Sequence, residues 1–573
     1  MASVNKAPQR DLDTVPKRLK YLADHYPERE IFICVSKDTR DAFTAVRLLQ
    51  LAEKFAARLV RQGFRHGDVI ANTLPNSPER VVADVGLMLA GCTGMNGQIL
   101  MADGSDFLGS SWKARCNGVI LCPENWSAAW QMLGPSITDR HAGLFSPMSH
   151  EQVPDLTTAV LVWPRQSALH RPSFLEELEA CEEDPPNLDL CQPEDVLYVL
   201  TTSGNTGYSK LIPHTHKEVI EIAAPVYLGP AGTATVNTAN VVKVFNVRPL
   251  GWVGGSPFKT YVLGEVRVMV DTLTTQGHCD VTDILAGIKR EKCSTGFVMP
   301  LEVEALLDHM TQEEIKDFRL KVIITGGQPI KRRQVARALL LSETVVVAYA
   351  SSEAGLIAFK AYQDATKFED FCGGKLVRGM AIRVVADNDQ DCPCGVIGKI
   401  LIKGPGVFRG FFNRHNTPDP SDASAFTSDG WYRTEDFGWF SATADGSQEL
   451  YALGRAKDVI SRDGIHLYPG WLEAKVIQHK DVIDVCILPY HKICAIVKTS
   501  PDSQLDEDGL RSFCHNMFLG NTNDNYVPVP DYYKILRGKD FPETATGKPN
   551  LHALRKIAEK SFGANELAPH FKA

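Results

Sequence analysis

The segment Thr202–Lys210 reads Thr-Ser-Gly-Asn-Thr-Gly-Tyr-Ser-Lys and follows a short apolar run at Val196–Leu200. Its two glycines allow the backbone to turn tightly and to approach a ligand closely. Hydroxyl and backbone N–H groups can surround phosphate oxygens there, and the lysine adds a positive charge. The segment is not a P-loop of the form G-x-x-x-x-G-K-[ST], because Leu211–Pro213 reads as strand and a helix begins only near His216. Taken alone, it fits a phosphate-binding loop and a flexible Ser/Gly turn equally well.

Helical and strand patterns alternate along the first and middle parts of the chain, up to about Gly395. Apolar residues recur at helical spacing between positions 48 and 59, and Gly63 follows as a stop signal. The apolar run Val69–Ala71 predicts a strand, and Ser77-Pro78 predicts the cap and first turn of the next helix. Another apolar stretch, Val262–Val270, predicts a further strand. This alternation is typical of a mainly parallel sheet covered by helices.

The composition narrows the class of protein. The chain has 573 residues, 44% hydrophobic and 23% charged, so we expect a globular protein with more than one lobe. A formal net charge of −8 argues against nucleic acid as a partner. The fourteen cysteines form no disulfide framework or zinc pattern, and we expect free thiols. Because the sequence has no apolar signal region and no stretch of about 18 apolar residues, it predicts a cytoplasmic protein without a membrane span.

Five later segments contain residue types that bind nucleotides and metals. In one-letter code they are TGGQP at 325–329, YASSE at 349–353, WYRTED at 431–436, GRAKDVI at 454–460 and PETATGK at 542–548. Together with Thr202–Lys210 they resemble, in order, the signature motifs of the adenylate-forming superfamily. This family includes acyl-CoA synthetases, luciferases and the adenylation domains of peptide synthetases. The resemblance covers nearly the whole chain.

The resemblance implies an α/β fold in two domains. Residues 1–456 would form a large N-terminal adenylation domain of αβαβα-type sheets with a small β-barrel-like subdomain. Residues 457–573 would form a small, mobile α+β C-terminal domain that carries a catalytic lysine. By the same resemblance Lys457 is the hinge between the domains, and Gly464 lines a thiol tunnel.

A nucleotide site is also implied by the resemblance. Tyr349 would stack on adenine, Asp436 and Arg455 would contact the ribose, and Ser352 would touch the α-phosphate. Glu353 would hold Mg²⁺, an ion that prefers oxygen ligands. The residues expected to bind ATP or AMP are Thr202, Ser203, Gly204, Asn205, Thr206, Gly207, Lys210, Gly327, Gln328, Tyr349, Asp436 and Arg455.

Lys548 is the strongest catalytic candidate, with Ser352 and Glu353 as the other members of the set. Two anions, a carboxylate and ATP, must meet in line at the α-phosphorus. A lysine that bridges both offsets their repulsion and the charge that develops in the transition state. The last motif of the resemblance places Lys548 in this role.

The chain departs from the family pattern at four positions. Asn205 and Ser209 lie in the first motif, and an asparagine can still donate a hydrogen bond to phosphate. Glu435 stands where the family has glycine in W-Y-R-T-G-D, and Ser461 stands where the family often has lysine.

The region Pro249–Gly255 resembles P-L-F-H-x-x-G, and Trp252 stands at the position where the family has an aromatic gate residue. Its apolar character favours an acyl or aryl acid. Amino-acid-activating relatives have an aspartate in this region, and Phe245-Asn246 lacks that charge. The residues expected in the acyl pocket are Trp252, Gly254, Gly326 and Ser351.

These observations predict an ATP- and Mg²⁺-dependent ligase that forms acyl-AMP, releases pyrophosphate and passes the acyl group to CoA. CoA is favoured because the segment 454–473 resembles that of acyl-CoA ligases. Three alternatives stay open: loading of a separate carrier protein, amide formation with a free amine, and a non-catalytic sensor of acyl or nucleotide ligands. His214 and His216 form an H-x-H pair that we interpret as structural.

Overall fold

The fold is seen in a computed structural model, which describes residues 12–99, 101, 103–140, 143–165, 172–182, 191–202, 209–223, 242–415, 424–443, 446–455, 460–462, 465–489, 492–518, 529–543 and 549–563. In chain order, the first strands are β1 Glu30–Val35, β2 Arg40–Thr44, β3 Val69–Asn72, β4 Thr93–Asn96, β5 Gly118–Leu121, β6 Phe145–Pro147, β7 Thr158–Leu161, β8 Val196–Thr202, β9 Lys210–Thr215, β10 Lys243–Phe245 and β11 Val266–Val270. The later strands are β12 Thr295–Phe297, β13 Leu320–Gly326, β14 Ser342–Ser351, β15 Gly355–Tyr362, β16 Cys372–Leu376, β17 Ala381–Val385, β18 Gly398–Lys403, β19 Tyr432–Ala442, β20 Gln448–Arg455, β21 Ile460–Arg462, β22 Ile465–Leu467, β23 Val482–Pro489, β24 Ile493–Thr499 and β25 Tyr532–Arg537.

Helices cover and connect these strands. They are α1 Val15–His25, α2 Ala45–Gln62, α3 Pro78–Leu89, α4 Ser105–Ala114, α5 Ala128–Leu133, α6 Phe174–Glu179, α7 His216–Ala223, α8 Phe258–Leu263, α9 Val281–Glu291, α10 Pro300–His309, α11 Gln312–Asp317, α12 Arg332–Ala338, α13 Pro469–Val476, α14 Glu507–Phe518 and α15 Leu551–Phe562. Within the ranges given above, no helix combines the length and the apolar character needed to cross a lipid bilayer.

Local sequence signals set several of these boundaries. The Ser77 hydroxyl accepts a hydrogen bond from the Arg80 amide and caps α3, with Pro78 at its first position. Gly63 ends α2 in the left-handed conformation at φ 105°, which a glycine adopts without steric cost. The predictions for these two helices are confirmed.

The strand predicted at Val262–Val270 is wrong in its first part. Val262 and Leu263 form the last turn of α8, Gly264 follows with a φ of 68°, and the strand begins at Val266. Both elements are buried, and an apolar run by itself does not distinguish a buried helix from a buried strand.

Two large sheets form the body of the molecule. One has seven strands in the order β6-β7-β5-β3-β4-β8-β9, parallel except for its antiparallel edges β6 and β9. The other has thirteen strands in the order β17-β18-β19-β20-β16-β15-β14-β13-β12-β10-β11-β1-β2. In this spatial order, the strands β14, β13, β12, β10, β11 and β1 run parallel to one another. On the other side of β14, the strands β15, β16, β20, β19, β18 and β17 continue the sheet as an antiparallel section. The predicted α/β class is confirmed.

The C-terminal part of the chain has a core of its own. Strands β23, β24 and β25 form a three-stranded sheet, and apolar residues of α13, α14 and α15 pack on it. Its contacts with the larger body include Lys331 and Glu473, whose charged atoms are 3.7 Å apart, and a hydrogen bond from Arg333 to the carbonyl oxygen of Val482. Ala474 and Trp471 also pack into the core of the larger body.

Candidate functional site

A cavity of about 330 Å³ lies where the larger body meets the C-terminal part of the chain. Pockets that bind small molecules in proteins begin at about this volume. Residues of the C-terminal part contribute to its wall, among them Tyr468, Leu551 and Arg555. Five predicted nucleotide-binding residues also line it: Gly327, Gln328, Tyr349, Asp436 and Arg455.

Two consecutive glycines shape the turn at the end of β13. A Cβ atom at Gly326 would collide with the carbonyl oxygen of Ala348 on the neighbouring strand β14. Gly327 has a φ of 75°, in the left-handed region. Glycines at both positions therefore let the chain turn close against β14 and bring Gln328 to the cavity.

Tyr349, Asp436 and Arg455 form a hydrogen-bonded group on one wall of the cavity. The Tyr349 hydroxyl donates to one carboxylate oxygen of Asp436 at 2.6 Å, and Arg455 Nε lies 3.2 Å from the other. Asp436 and Arg455 are paired residues on β19 and β20. Burial raises the pKa of Asp436, while the charge of Arg455 and the hydrogen bond from Tyr349 act against that rise. The group presents an anchored carboxylate that can accept hydrogen bonds from a ligand's hydroxyls.

Ser352 and Glu353 lie in the tight connection between the antiparallel strands β14 and β15. Glu353 is 7% exposed, and one of its carboxylate oxygens accepts a hydrogen bond from the Tyr432 hydroxyl at 3.0 Å. Its carbonyl oxygen accepts from the Phe408 amide at 2.8 Å. The hairpin turn therefore holds a buried carboxylate in a fixed position.

The two histidines of the H-x-H pair are structural. His214 Nε2 donates to the carbonyl oxygen of Ser352 at 2.7 Å, and His216 Nδ1 accepts from the Val15 amide at 3.2 Å. Burial lowers the pKa of each to about 4, so both rings are neutral near pH 7. His214 links the seven-stranded sheet to the hairpin that carries Ser352 and Glu353.

Lys210 and Glu435 form an ion pair between the two sheets. Lys210 is the first residue of β9, and its Nζ lies 3.0 Å from a carboxylate oxygen of Glu435 on β19. The same ammonium lies 5.3 Å from the centre of the Phe411 ring. Glu435 adopts a φ of 62°, which is uncommon for a residue other than glycine.

The residues predicted for the acyl pocket lie outside the described wall of the cavity. The Trp252 indole donates to the Gln98 side chain at 2.6 Å, and the Gly254 carbonyl accepts from Asn246 at 2.8 Å. The hydroxyls of Ser351 and Thr325 are buried and make no hydrogen bond within the described part of the chain. These two unpaired hydroxyls sit at or near the carboxyl ends of the adjacent strands β14 and β13.

A family model described as "AMP-binding enzyme" matches residues 19–105 and 113–412. The chain belongs to the AMP-binding enzyme family. It is 23% identical to a mitochondrial medium-chain acyl-CoA ligase of Danio rerio, with 96% of this chain and 89% of the relative covered. It is 24% identical to a 4-coumarate–CoA ligase of Solanum tuberosum, with 95% and 94% covered. The structure of ATP-bound MatB from Rhodopseudomonas palustris has the same fold, at a TM-score of 0.74 and 18% identity over 96% of this chain and all of that one.

Several predicted residues of this AMP-binding enzyme lie outside the described residues. They are Ser203, Gly204, Asn205, Thr206 and Gly207 of the first motif, together with Lys457, Gly464 and Lys548. On either side of Lys548, Glu543 and Pro549 form a β-bridge, and Asn550 caps the helix α15 that supplies Leu551 and Arg555 to the cavity.

Three residues that contact the predicted site were not singled out from the sequence. Tyr432 binds Glu353 from within the motif at 431–436, so its place in that motif was an available signal. Gln98 and Arg555 meet the site from distant parts of the chain, and nothing in their local sequence marks them.

Proposed function

We propose that this enzyme activates an acyl or aryl carboxylic acid with ATP and Mg²⁺, and then transfers the acyl group to CoA. The observation that carries the proposal is the cavity, in which residues of four separate motifs meet the C-terminal part of the chain. Membership of the AMP-binding enzyme family supports the first half of the reaction. The names of the relatives, which are CoA ligases, support the second half.

The cavity would take the adenosine part of ATP. The Tyr349 ring offers an aromatic surface for adenine, and the Asp436 carboxylate offers acceptors for the ribose hydroxyls. Arg455 holds that carboxylate in place and remains half exposed for a ligand contact. The loop at 202–210 would hold the phosphates, with Thr202 and Lys210 at its two paired ends.

The chemistry of Glu353 fits a magnesium ion. Proteins commonly hold Mg²⁺ through one or two carboxylates, with the remaining positions filled by water and substrate phosphates. A bound Mg²⁺ would offset the charge of the phosphates.

In the first half-reaction, an oxygen of the substrate carboxylate attacks the α-phosphorus of ATP. The bond from that phosphorus to the bridging oxygen breaks, which gives acyl-AMP and pyrophosphate. Lys548 would lie between the two anions and stabilise the charge, and Ser352 would contact the α-phosphate. In the second half-reaction, the thiolate of CoA attacks the acyl carbonyl and AMP leaves, after the thiol proton has been lost to solvent.

We assign residues 1–456 and 457–573 to two domains, with Lys457 as hinge and Gly464 beside the thiol path. The separate C-terminal core supports this division. We also place the acid near Trp252, Gly254, Gly326 and Ser351, where the unpaired Ser351 hydroxyl offers one polar contact. The fourteen cysteines are free thiols, which supports a place in the cytosol.

Exchange of labelled pyrophosphate into ATP, measured over a panel of fatty and aryl acids, tests the first half-reaction. We expect Lys548→Ala to lower the exchange rate by about 10²-fold or more, the scale of losing one transition-state contact. Lys560→Ala removes the same charge from an exposed position on α15 and is expected to leave the rate unchanged. Full exchange in Lys548→Ala would overturn the assignment. Product mass spectrometry with CoA, a carrier protein or amines then identifies the acceptor.

A further inference from the structure

Glu435 combines two unusual features at one position of β19. It replaces the glycine of the motif that WYRTED resembles, and it nevertheless keeps a φ of 62°. A side chain in this left-handed conformation is strained, and such strain persists only where the surrounding structure imposes it. This chain thus has a charged side chain where the motif has glycine.

The side chain of Glu435 makes an ion pair with Lys210. The two charged atoms are 3.0 Å apart, and the side chains are 51% and 35% exposed. Lys210 and Glu435 are separated by 225 positions in the chain, so the tertiary fold brings them together. The Glu435 carboxylate is thus paired with Lys210, the cation at the end of the predicted phosphate loop.

Charged groups of both signs lie near Glu435. Asp436 follows it directly; burial is the main cause that raises the pKa of Asp436, Arg455 acts against the rise, and the charges of Glu353 and Glu435 add to it. The charge of Arg455 also acts on Glu435. A polyphosphate that reaches Lys210 therefore meets an additional like charge at Glu435 and must compete with it for the ammonium.

We propose that Glu435 is an internal competitor of the polyphosphate. Its carboxylate holds Lys210 in the nucleotide-free enzyme, gives way to the β- and γ-phosphates of ATP, and returns to Lys210 as pyrophosphate leaves. This inference rests on the proposed function, since it takes the anion at Lys210 to be the phosphate end of ATP. Glu435 is thus a positioning residue that weakens the binding of ATP and of pyrophosphate, but not of AMP.

The test uses the full chain and measures dissociation constants for Mg·ATP, inorganic pyrophosphate and AMP by titration calorimetry. Glu435→Gln removes the charge and keeps a side chain on the left-handed backbone at φ 62°. Glu435→Gly removes the charge and also the strain of that backbone conformation. We expect both variants to bind ATP and pyrophosphate about 2- to 5-fold more tightly, the range of an exposed ion pair, with AMP unchanged. The gain should shrink as salt is raised, because exposed charges are screened.

Glu194→Gln is the matched control. Glu194 forms an ion pair with Lys217 that is also 3.0 Å long, and its side chain is 55% exposed. We expect this variant to bind all three ligands as the wild type does. In a Lys210→Met background, Glu435→Gln should change the affinity for pyrophosphate less than it does in the wild type, because the competition for the ammonium is gone and only the repulsion between like charges remains.

The outcomes separate this inference from the proposed function. A wild type that binds ATP but shows no gain in Glu435→Gln, or a loss, overturns the role of Glu435 alone. A gain in Glu435→Gly without one in Glu435→Gln assigns the effect to the backbone and overturns it as well. A wild type that binds neither ATP nor pyrophosphate and shows no exchange overturns both proposals.

Discussion

The hydrogen bond from Tyr349 to Asp436 offers a direct test of the nucleotide site. Tyr349→Phe keeps the ring that would stack on adenine and removes only the hydroxyl, which donates to the carboxylate at 2.6 Å. Because this bond is present in the ligand-free enzyme, its loss acts on ATP only through poorer positioning of the carboxylate; a net hydrogen-bond contribution of about 1 kcal/mol sets the scale, so we expect the KM for ATP to rise by roughly 5-fold. Steady-state kinetics with saturating acid measure this change.

The same substitution has a consequence for the pH profile. Burial raises the pKa of Asp436, and the Tyr349 hydrogen bond acts against that rise. Without the hydroxyl the pKa rises further, so the carboxylate becomes protonated at a higher pH. Because the ionised form is the better acceptor for ribose hydroxyls, we expect the acid limb of kcat/KM for ATP to move to higher pH.

Tyr451→Phe provides the matched control. The Tyr451 hydroxyl donates to a carboxylate oxygen of Glu369 at 2.7 Å, but Tyr451 is not among the residues of the cavity wall. The control should leave both the KM for ATP and the pH profile unchanged. An unchanged KM in Tyr349→Phe, or an equal rise in both variants, would refute the role assigned to this hydrogen bond.

Three further predictions concern other parts of the site and the core. Glu353→Gln should raise the Mg²⁺ concentration needed for half-maximal exchange, since the buried carboxylate is the proposed ligand; an unchanged Mg²⁺ titration would exclude it. Gln98→Ala frees the Trp252 indole and should raise the KM for the acid while that for ATP stays constant, and a change confined to ATP would contradict this. Gly86→Ala places a methyl group against the Phe55 ring and the Ala52 carbonyl oxygen, and should destabilise the fold by about 1–3 kcal/mol, seen as a lower melting temperature.

Predictions from sequence held where local chemistry decides the structure. The caps at Ser77 and Gly63 act within one helical turn, so the residues that specify them are adjacent in the chain. The strand predicted over Val262–Val270 was wrong in its first part because both a buried helix and a buried strand are apolar. Only the tertiary packing of α8 and β11 separates the two.

The motifs predicted residues that line the cavity, but they did not reveal the contacts among them. Tyr432 and Glu353 are 79 positions apart, and Gln98 and Trp252 are 154 apart. Such pairs depend on the order of strands in the sheets, which no local pattern encodes. The replacement of the motif's glycine by Glu435 could be read from the sequence. The ion pair between Glu435 and Lys210 could be seen only in the fold.

Strand β9 explains how a departure in one motif can act on another. Every second residue of a strand lies on the same face, so Lys210 and His214, four positions apart, project from the same side of β9. Lys210 reaches Glu435 on β19, and His214 reaches the carbonyl oxygen of Ser352 in the β14–β15 hairpin. A single edge strand of the seven-stranded sheet therefore contacts both β19 and the turn that carries Glu353. Because neutral His214 fixes the turn through one hydrogen bond, a change of charge at Glu435 alters the electrostatics at Lys210 without releasing the hairpin.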